Sequence, residues 1–180
     1  MKRRNFITGT LLALPTLSIA NAISFKKKET KVDRPAKKGF VVKANESRYD
    51  GKQTQPKNAF LHCKISTVDT NGDLFIQTST PQVFKMIGGP PPHVHGFEDE
   101  IIYIVSGEFI VHIDGKDFPV KTGDTAFIPR GTLHTVINPI ENNPGTLITL
   151  FQPAPKKVED FFHYISQHGA VPNDIVPDGW

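Results

Sequence analysis

Residues 88–107 read GGPPPHVHGFEDEIIYIVSG, and residues 123–138 read GDTAFIPRGTLHTVIN. On an extended strand, His93 and His95 lie two positions apart, so both imidazoles leave the same face. Two further metal-binding side chains stand in these stretches: Glu100 and His134. Three imidazoles and one carboxylate suit a first-row transition metal, and four ligands leave an octahedron incomplete. The two stretches therefore predict one metal site with open positions.

The composition indicates a single folded domain that is rich in β structure. The chain has 180 residues, of which 38% are hydrophobic, and it contains 13 Phe but only one Trp. Short Val, Ile and Phe runs are separated by Gly, Asp and Asn, as is typical of strands and turns. The single cysteine, Cys63, excludes an intramolecular disulfide.

The formal net charge of +3 is unevenly distributed along the chain. The basic excess lies before Gly39, because residues 39–180 carry 11 Lys and Arg against 16 Asp and Glu. An acidic folded part is not expected to bind nucleic acid, whose phosphates attract positive surfaces.

Residues 1–22, MKRRNFITGTLLALPTLSIANA, have the three parts of an export signal: a basic start, an apolar stretch and a small-x-small end. The run from Arg3 to Ile7 resembles a twin-arginine signal, and an ordinary basic signal or an uncleaved anchor is the alternative. Cleavage after Ala22 would leave an exported protein of the periplasm or cell envelope that is not an integral membrane protein.

Three further segments follow the predicted signal. Residues 23–39 are basic and nearly without large apolar side chains, which predicts a flexible linker. Residues 40–168 form the predicted domain, and residues 169–180 form a C-terminal tail.

Many short strands separated by turns favour a sandwich or a closed barrel. Asp69–Asp73 and Asp114-Gly115 read as hairpin turns. One helix is predicted over Val158–His168, with Gly169 as its stop and an apolar stripe that is expected to pack on the outside of the β core. The predicted strands cover residues 59–68, 74–79, 83–87, 100–106, 109–113, 116–121, 125–128, 132–137 and 147–152.

The two stretches resemble the paired motifs of the cupin superfamily. The first motif runs from Gly through His-x-His, Glu and a final Gly; its matches are His93, His95, Glu100 and Gly107. The leading Gly is the one departure, since Ile87 holds that position and Gly88 follows it. Every position of the second motif is matched, by Gly123, Pro129, Gly131, His134 and Asn138.

This resemblance implies an all-β fold, the cupin double-stranded β-helix or jelly-roll barrel. It also implies one divalent transition metal ion per chain (Fe, Mn, Ni, Cu, Co or Zn). The implied metal ligands are His93, His95, Glu100 and His134.

Within the superfamily, residues 45–168 resemble single-domain cupins grouped with quercetin 2,3-dioxygenase. That resemblance implies a dioxygenase that acts on a flavonol-like or enol-type small molecule, apolar or aromatic, with Glu100 as ligand and catalytic base. The dioxygenase relatives commonly carry two cupin motif pairs and this chain carries one, so a homodimer is expected. Inward apolar walls are expected from Phe84, Met86, Ile102, Ile104, Phe127 and Val136.

Several alternatives stay open from the sequence. Glu98 shares strand parity with Glu100 and would be the ligand in a shorter-spaced motif, although the distance to Gly107 favours Glu100. His112 either lines the cavity or faces outward, and Arg130 either belongs to a turn or binds an anion. A cupin isomerase or lyase, or a non-catalytic metal-binding or small-molecule-binding protein of the cell envelope, are the other function classes.

Overall fold

The computed structural model describes residues 38–56, 59–80, 84–85 and 87–170. The predicted signal, nearly all of the predicted linker and most of the C-terminal tail lie outside the described residues. Within the described part, no helix has the length and apolar composition needed to cross a membrane.

Two antiparallel sheets make up the β structure of the described residues. The strands, in chain order, are β1 (Leu61–Ile65), β2 (Phe75–Ser79), β3 (Asp99–Ser106), β4 (Glu108–Ile113), β5 (Lys116–Lys121), β6 (Thr125–Ile128), β7 (His134–Ile137) and β8 (Thr146–Gln152). One sheet has the order β1-β2-β8-β3-β6, and the other has the order β5-β4-β7. This arrangement is a jelly roll, as predicted.

In the described part of the chain, two helices accompany the sheets: α1 (Thr67–Thr70) and α2 (Lys156–His168). A short 3-10 turn lies at Tyr49–Gly51. The predicted second helix is confirmed, and Gly169 ends it in the left-handed conformation.

Local sequence signals predicted several elements correctly. The β4–β5 hairpin turns at Asp114 and Gly115, which both have positive φ as a type I′ turn requires. Strand β3 alternates as expected: Ile102 and Ile104 are buried, whereas Tyr103 and Val105 are exposed. The outer face of β3 therefore carries apolar side chains that are exposed in the described residues.

The strand predicted over residues 59–68 is too long, because the chain turns into α1 after Ile65. Ser66 begins this helix: its hydroxyl accepts a hydrogen bond from Val68 N, and Asp69 accepts one from Ser66 N. Such a reciprocal capping box starts a helix even in a strand-like sequence.

The strand predicted over residues 83–87 is wrong for its described residues. Phe84, Lys85 and Ile87 are not in a strand. The carbonyls of Phe84 and Lys85 accept hydrogen bonds from the backbone N–H groups of Asn143 and Asn142, respectively. Phe84 and Lys85 therefore hydrogen-bond to a loop segment rather than to a neighbouring strand.

Helix α2 packs on the inner side of the five-stranded sheet rather than on the outside of the β core. Val158, Phe161 and Phe162 join a buried cluster with Phe75 and Phe151, which project from β2 and β8 on the side of the sheet that faces the interior. The apolar stripe was predicted correctly, but the surface that it covers was not. The helix thereby becomes part of the interior wall.

Candidate metal centre and cavity

Three segments bring the predicted ligands together. His93 and His95 lie in the loop before β3, Glu100 lies on β3, and His134 opens β7. One ligand atom from each of the four lies within 4.8 Å of the others. His93 and His134 also exchange two backbone hydrogen bonds of 2.9 Å, which hold the two halves of the cluster in register.

Each imidazole is oriented by a hydrogen bond at Nδ1. His93 Nδ1 lies 2.9 Å from the carbonyl oxygen of Pro91, and His134 Nδ1 lies 2.9 Å from that of Thr132. His95 Nδ1 lies 3.0 Å from Glu98 Oε1. An Nδ1–H donor in each ring leaves Nε2 as the atom that faces the cluster.

Glu98 and Glu100 therefore have different positions. Glu100 belongs to the cluster of four, where its Oε2 lies 3.1 Å from His95 Nε2 and 2.8 Å from His134 Nε2. Glu98 is buried behind His95, on the far side of the ring. Glu98 is thus an orienting residue rather than a member of the cluster, a position that motif spacing does not reveal.

Burial and hydrogen bonding oppose each other in the pKa values of the cluster. Burial alone would raise the pKa of Glu100, but hydrogen bonds from His134 and His95 outweigh it and lower the pKa to about 2. Burial likewise opposes the charged form of His95, but the carboxylates of Glu100 and Glu98 raise its pKa to about 9. Burial lowers the pKa of His93.

The donor set fits a divalent transition metal. Imidazole nitrogens and a carboxylate are the ligands that Mn, Fe, Co, Ni, Cu and Zn share, and the four donors, three of them on buried residues, converge from separate segments. Which ion binds, and which side chains bind it, stay predictions.

Contacts at a turn link the two motif stretches beside the cluster. Gly131 N donates to the carbonyl oxygen of His95 at 2.7 Å, and the φ of +82° at Gly131 favours glycine there. Arg130 forms two guanidinium hydrogen bonds of 3.0 Å with the Asp99 carboxylate. These hydrogen bonds hold the pKa of Asp99 at about 2. Arg130 is thus a turn residue that already has an acidic partner.

A cavity of about 830 Å³ opens onto the cluster, and His93, Glu100 and His134 line it. Its other walls are mainly apolar, and no Lys or Arg lines it among the described residues. Helix α2 contributes three side chains that the sequence analysis did not place there: Phe161, Phe162 and Ile165.

The predicted inward residues have mixed outcomes. Phe84, Ile102 and Val136 line the cavity, and Ile104 is buried in the core beside it. The prediction for Phe127 is wrong, because this side chain is 57% exposed on the outer face of β6. Met86 lies outside the described residues. His112 lies 2.6 Å from Asp117 on the neighbouring strand and is not a cavity residue.

Gln77, on β2, is a cavity residue that the sequence analysis did not single out. It is 3% exposed, and its Oε1 is a buried atom with no hydrogen-bond partner among the described residues. The alternating pattern of β2 was a usable signal, because it places Phe75, Gln77 and Ser79 on one face.

Comparisons with known proteins agree with the fold and the motifs. Residues 83–151 match the family model described as Cupin domain. Among curated proteins, the chain is similar to an oxalate-binding protein of Thermotoga maritima, with 46% identity over 46 residues, 26% of this chain and 38% of that protein. It is also similar to the pectin degradation protein KdgF of Dickeya dadantii, with 36% identity over 62 residues, 34% of this chain and 54% of that protein.

The chain thus spans only 38% to 54% of the length of these two curated relatives. Among solved structures, KdgF from Halomonas sp. aligns with a TM-score of 0.43 and 26% identity, over 53% of this chain and 78% of that chain. The resemblance to quercetin 2,3-dioxygenase stays a prediction. The family match identifies residues 83–151, which contain both motifs, as a cupin domain within the jelly roll.

Proposed function

We propose that this protein is a metal-dependent dioxygenase that acts on a flavonol-like or enol-type small molecule with O2. One observation carries the proposal: a convergent His and Glu cluster stands in the wall of a mainly apolar cavity of about 830 Å³. Cavities of this size and character accommodate flat apolar ligands and orient them with a few polar groups.

Nε2 of His93, His95 and His134 and the carboxylate of Glu100 would hold the ion. A bound divalent transition metal supplies a Lewis acid that polarises a substrate oxygen and makes its hydroxyl more acidic.

Glu100 has the second assigned role, as proton acceptor. With a pKa of about 2 it is ionised at neutral pH, and its Oε2 accepts both imidazole contacts. With a metal bound to one carboxylate oxygen of Glu100, the other oxygen would take the enol proton. The apolar walls, including Phe161 and Phe162, keep bulk water from the reacting face.

The test combines metal analysis with oxygen consumption. The full chain is purified with its native metal, and oxygen uptake is measured with a panel of flavonols and simple enols. We expect about one metal ion per chain and substrate-dependent uptake, and we expect Glu100→Gln to lower kcat by roughly 100-fold or more. Glu108→Gln, an exposed carboxylate on β4, is the matched control. A full complement of metal without uptake on any substrate rules out the dioxygenase.

A non-catalytic metal-binding and small-molecule-binding protein is the second candidate, and the similarity to an oxalate-binding protein favours it. Oxalate is a small dianion, however, and no Lys or Arg lines the cavity among the described residues. For the same reason, a cupin isomerase or lyase with a carboxylated or sugar-like substrate is less well supported than the dioxygenase. Calorimetric titration with oxalate separates the candidates, because tight binding without turnover supports the binding protein.

We also propose export by the twin-arginine route to the periplasm or cell envelope. The support is the Arg3-Arg4 pair ahead of an apolar stretch within residues 1–22. Replacing both arginines with lysine should retain the protein in the cytoplasmic fraction, whereas an ordinary signal would tolerate the change because the positive charge is kept.

A further inference from the structure

We propose that Gln77 forms a second, hydrogen-bonding subsite in the cavity, which selects substrates that carry a hydroxyl group remote from the metal-binding end. The inference rests on the proposed function, because it assumes a small molecule held at the metal cluster. It adds a specificity-determining residue on β2, a strand that carries none of the predicted ligands.

The first support is that the side-chain amide of Gln77 lacks a hydrogen-bond partner for its oxygen. Its Oε1 is the one buried side-chain polar atom without a hydrogen-bond partner among the described residues. A buried acceptor without a donor is unfavourable, and folded proteins pair nearly all such atoms. Gln77 lines the cavity, and rotation of its amide would turn Oε1 toward a ligand that can satisfy it.

The second support is its position relative to the metal cluster. Gln77 pairs with Thr149 on β8, and Thr149 pairs with Ile102 on β3. Glu100 lies one inward-facing position along β3 from Ile102. Strands lie about 4.8 Å apart, so two strand spacings and one inward step separate Gln77 from Glu100 by on the order of 10 Å. A two-ring or three-ring flat molecule spans that distance.

The third support is that few polar groups share this part of the cavity wall with Gln77, namely Ser79 and Thr149. The hydroxyl of Ser79, one inward position from Gln77, accepts a hydrogen bond of 3.0 Å from Leu147 N. Apart from these two residues, the walls near Gln77 are mainly apolar, with Phe162 and Ile165 of α2 among them. A hydroxyl suits the amide best, because it can donate to Oε1 and can also accept from Nε2.

The experiment compares the affinities of two proteins for two ligands. Wild type and Gln77→Met, loaded with metal and kept anaerobic, are titrated with 3-hydroxyflavone and with 3,4′-dihydroxyflavone, which adds one hydroxyl on the ring remote from the chelating oxygens. We expect wild type to bind the dihydroxy compound roughly 5-fold to 100-fold more tightly. We expect Gln77→Met to lose that preference while it keeps its affinity for 3-hydroxyflavone.

A ligand-free measurement accompanies the titration. Gln77→Met removes an unpaired buried amide, so its Tm should equal or exceed that of wild type. A Tm several degrees lower means that the amide is needed for folding and overturns the subsite. Leu147→Met is the control for cavity shape, since any effect on affinity should fall on both ligands alike.

The outcomes distinguish the two proposals. If both flavonols bind at the metal with equal affinity in wild type, or if the preference survives in Gln77→Met, the subsite is wrong and the proposed function stands. If neither flavonol gives the absorbance change of metal chelation, the proposed substrate class and the subsite for it are both overturned.

Discussion

His95 is held between two carboxylates, with Glu98 at Nδ1 and Glu100 at Nε2. In the metal-free protein this arrangement favours the imidazolium, and the pKa of His95 is raised to about 9. Metal binding requires a neutral imidazole at Nε2. One side chain would therefore stabilise the metal-free fold as a cation and bind a metal as a neutral ligand.

This dual state predicts opposite pH trends for stability and metal affinity. The folded pKa of His95 exceeds its unfolded value of 6.5, so its stabilising contribution is complete below about pH 6.5 and is lost as pH rises through about 9. Thermal melts of the metal-stripped protein should therefore fall in Tm over this range. Metal affinity should rise over the same range, because fewer protons compete for Nε2.

The control for this pH dependence is His95→Gln, which should flatten the Tm trend of the metal-stripped protein. His112→Gln, a change at a histidine remote from the cluster, should leave the trend in place. A metal-stripped protein whose Tm rises steadily from pH 6.5 to 9 would contradict the assignment.

Glu98 carries the second prediction at this scale. Glu98→Gln keeps the shape of the side chain but replaces the carboxylate behind His95 with a neutral amide. Such orienting partners typically contribute 10-fold to 100-fold in metal affinity, so we expect a loss in that range. Competition with a metal chelator measures it, and Glu108→Gln should bind metal like wild type. An unchanged affinity would mean that the imidazole needs no carboxylate for its orientation.

At the scale of elements, α2 has two roles. One face closes the cavity with Phe161, Phe162 and Ile165. The other presents Glu159, which is completely buried and accepts hydrogen bonds from backbone and hydroxyl groups of the turn preceding β1 and of the α1 segment. Those donors are Asp50 N, Ser66 Oγ, Thr67 N and Thr67 Oγ1.

Loss of Glu159 should therefore loosen α2. Glu159→Ala leaves the N–H groups of Asp50 and Thr67 without their acceptor, and we expect the free energy of unfolding to fall by about 3 kcal/mol. Asp160→Asn is the neighbouring control; its salt bridge to Lys156 is solvent-exposed and should contribute under about 1 kcal/mol. Urea unfolding measures both variants, and equal effects would refute the anchoring role.

Elements that depend on local chemistry could be predicted from the sequence. The β4–β5 hairpin, the parity of β3 and the C-terminal stop of α2 all follow from short patterns. The side of the sheet on which α2 packs could not be predicted, because an amphipathic stripe identifies the apolar face and not the surface that it meets.

The candidate site, too, could be predicted only in part from local sequence patterns. Motif spacing predicted the four residues of the cluster, whereas the position of Glu98 behind His95 depends on how the loop folds. Gln77 enters the cavity only through the register of β2 against β8, which pairs residues far apart in the chain.

At the scale of the whole molecule, the outer face of β3 and β6 is a candidate surface for contact with a second copy of the chain. Tyr103, Val105 and Phe127 expose apolar surface on these neighbouring strands. We propose that a second copy of the chain covers this face, which would complete the homodimer expected from the resemblance to two-cupin proteins. Exposed apolar side chains on neighbouring strands are a common feature of interfaces.

Phe127→Asp should then shift the protein toward a monomer, because it places a charge in the apolar contact. Size-exclusion chromatography with light scattering measures the mass, and Phe118→Asp, an exposed aromatic on the other sheet, should leave it unchanged. A wild-type mass of one chain at micromolar concentration would rule out this interface.

The cluster also joins the two sheets of the described fold. Glu100 belongs to the five-stranded sheet and His134 to the three-stranded sheet, and His93 is hydrogen-bonded to His134 through the backbone. A bound ion would therefore suppress local opening between the sheets, much as a crosslink does. Amide hydrogen exchange should slow in β7 and in residues 88–95 more than in β5, which carries none of the four residues. Amide hydrogen exchange would then report metal binding even if the protein had no catalytic activity.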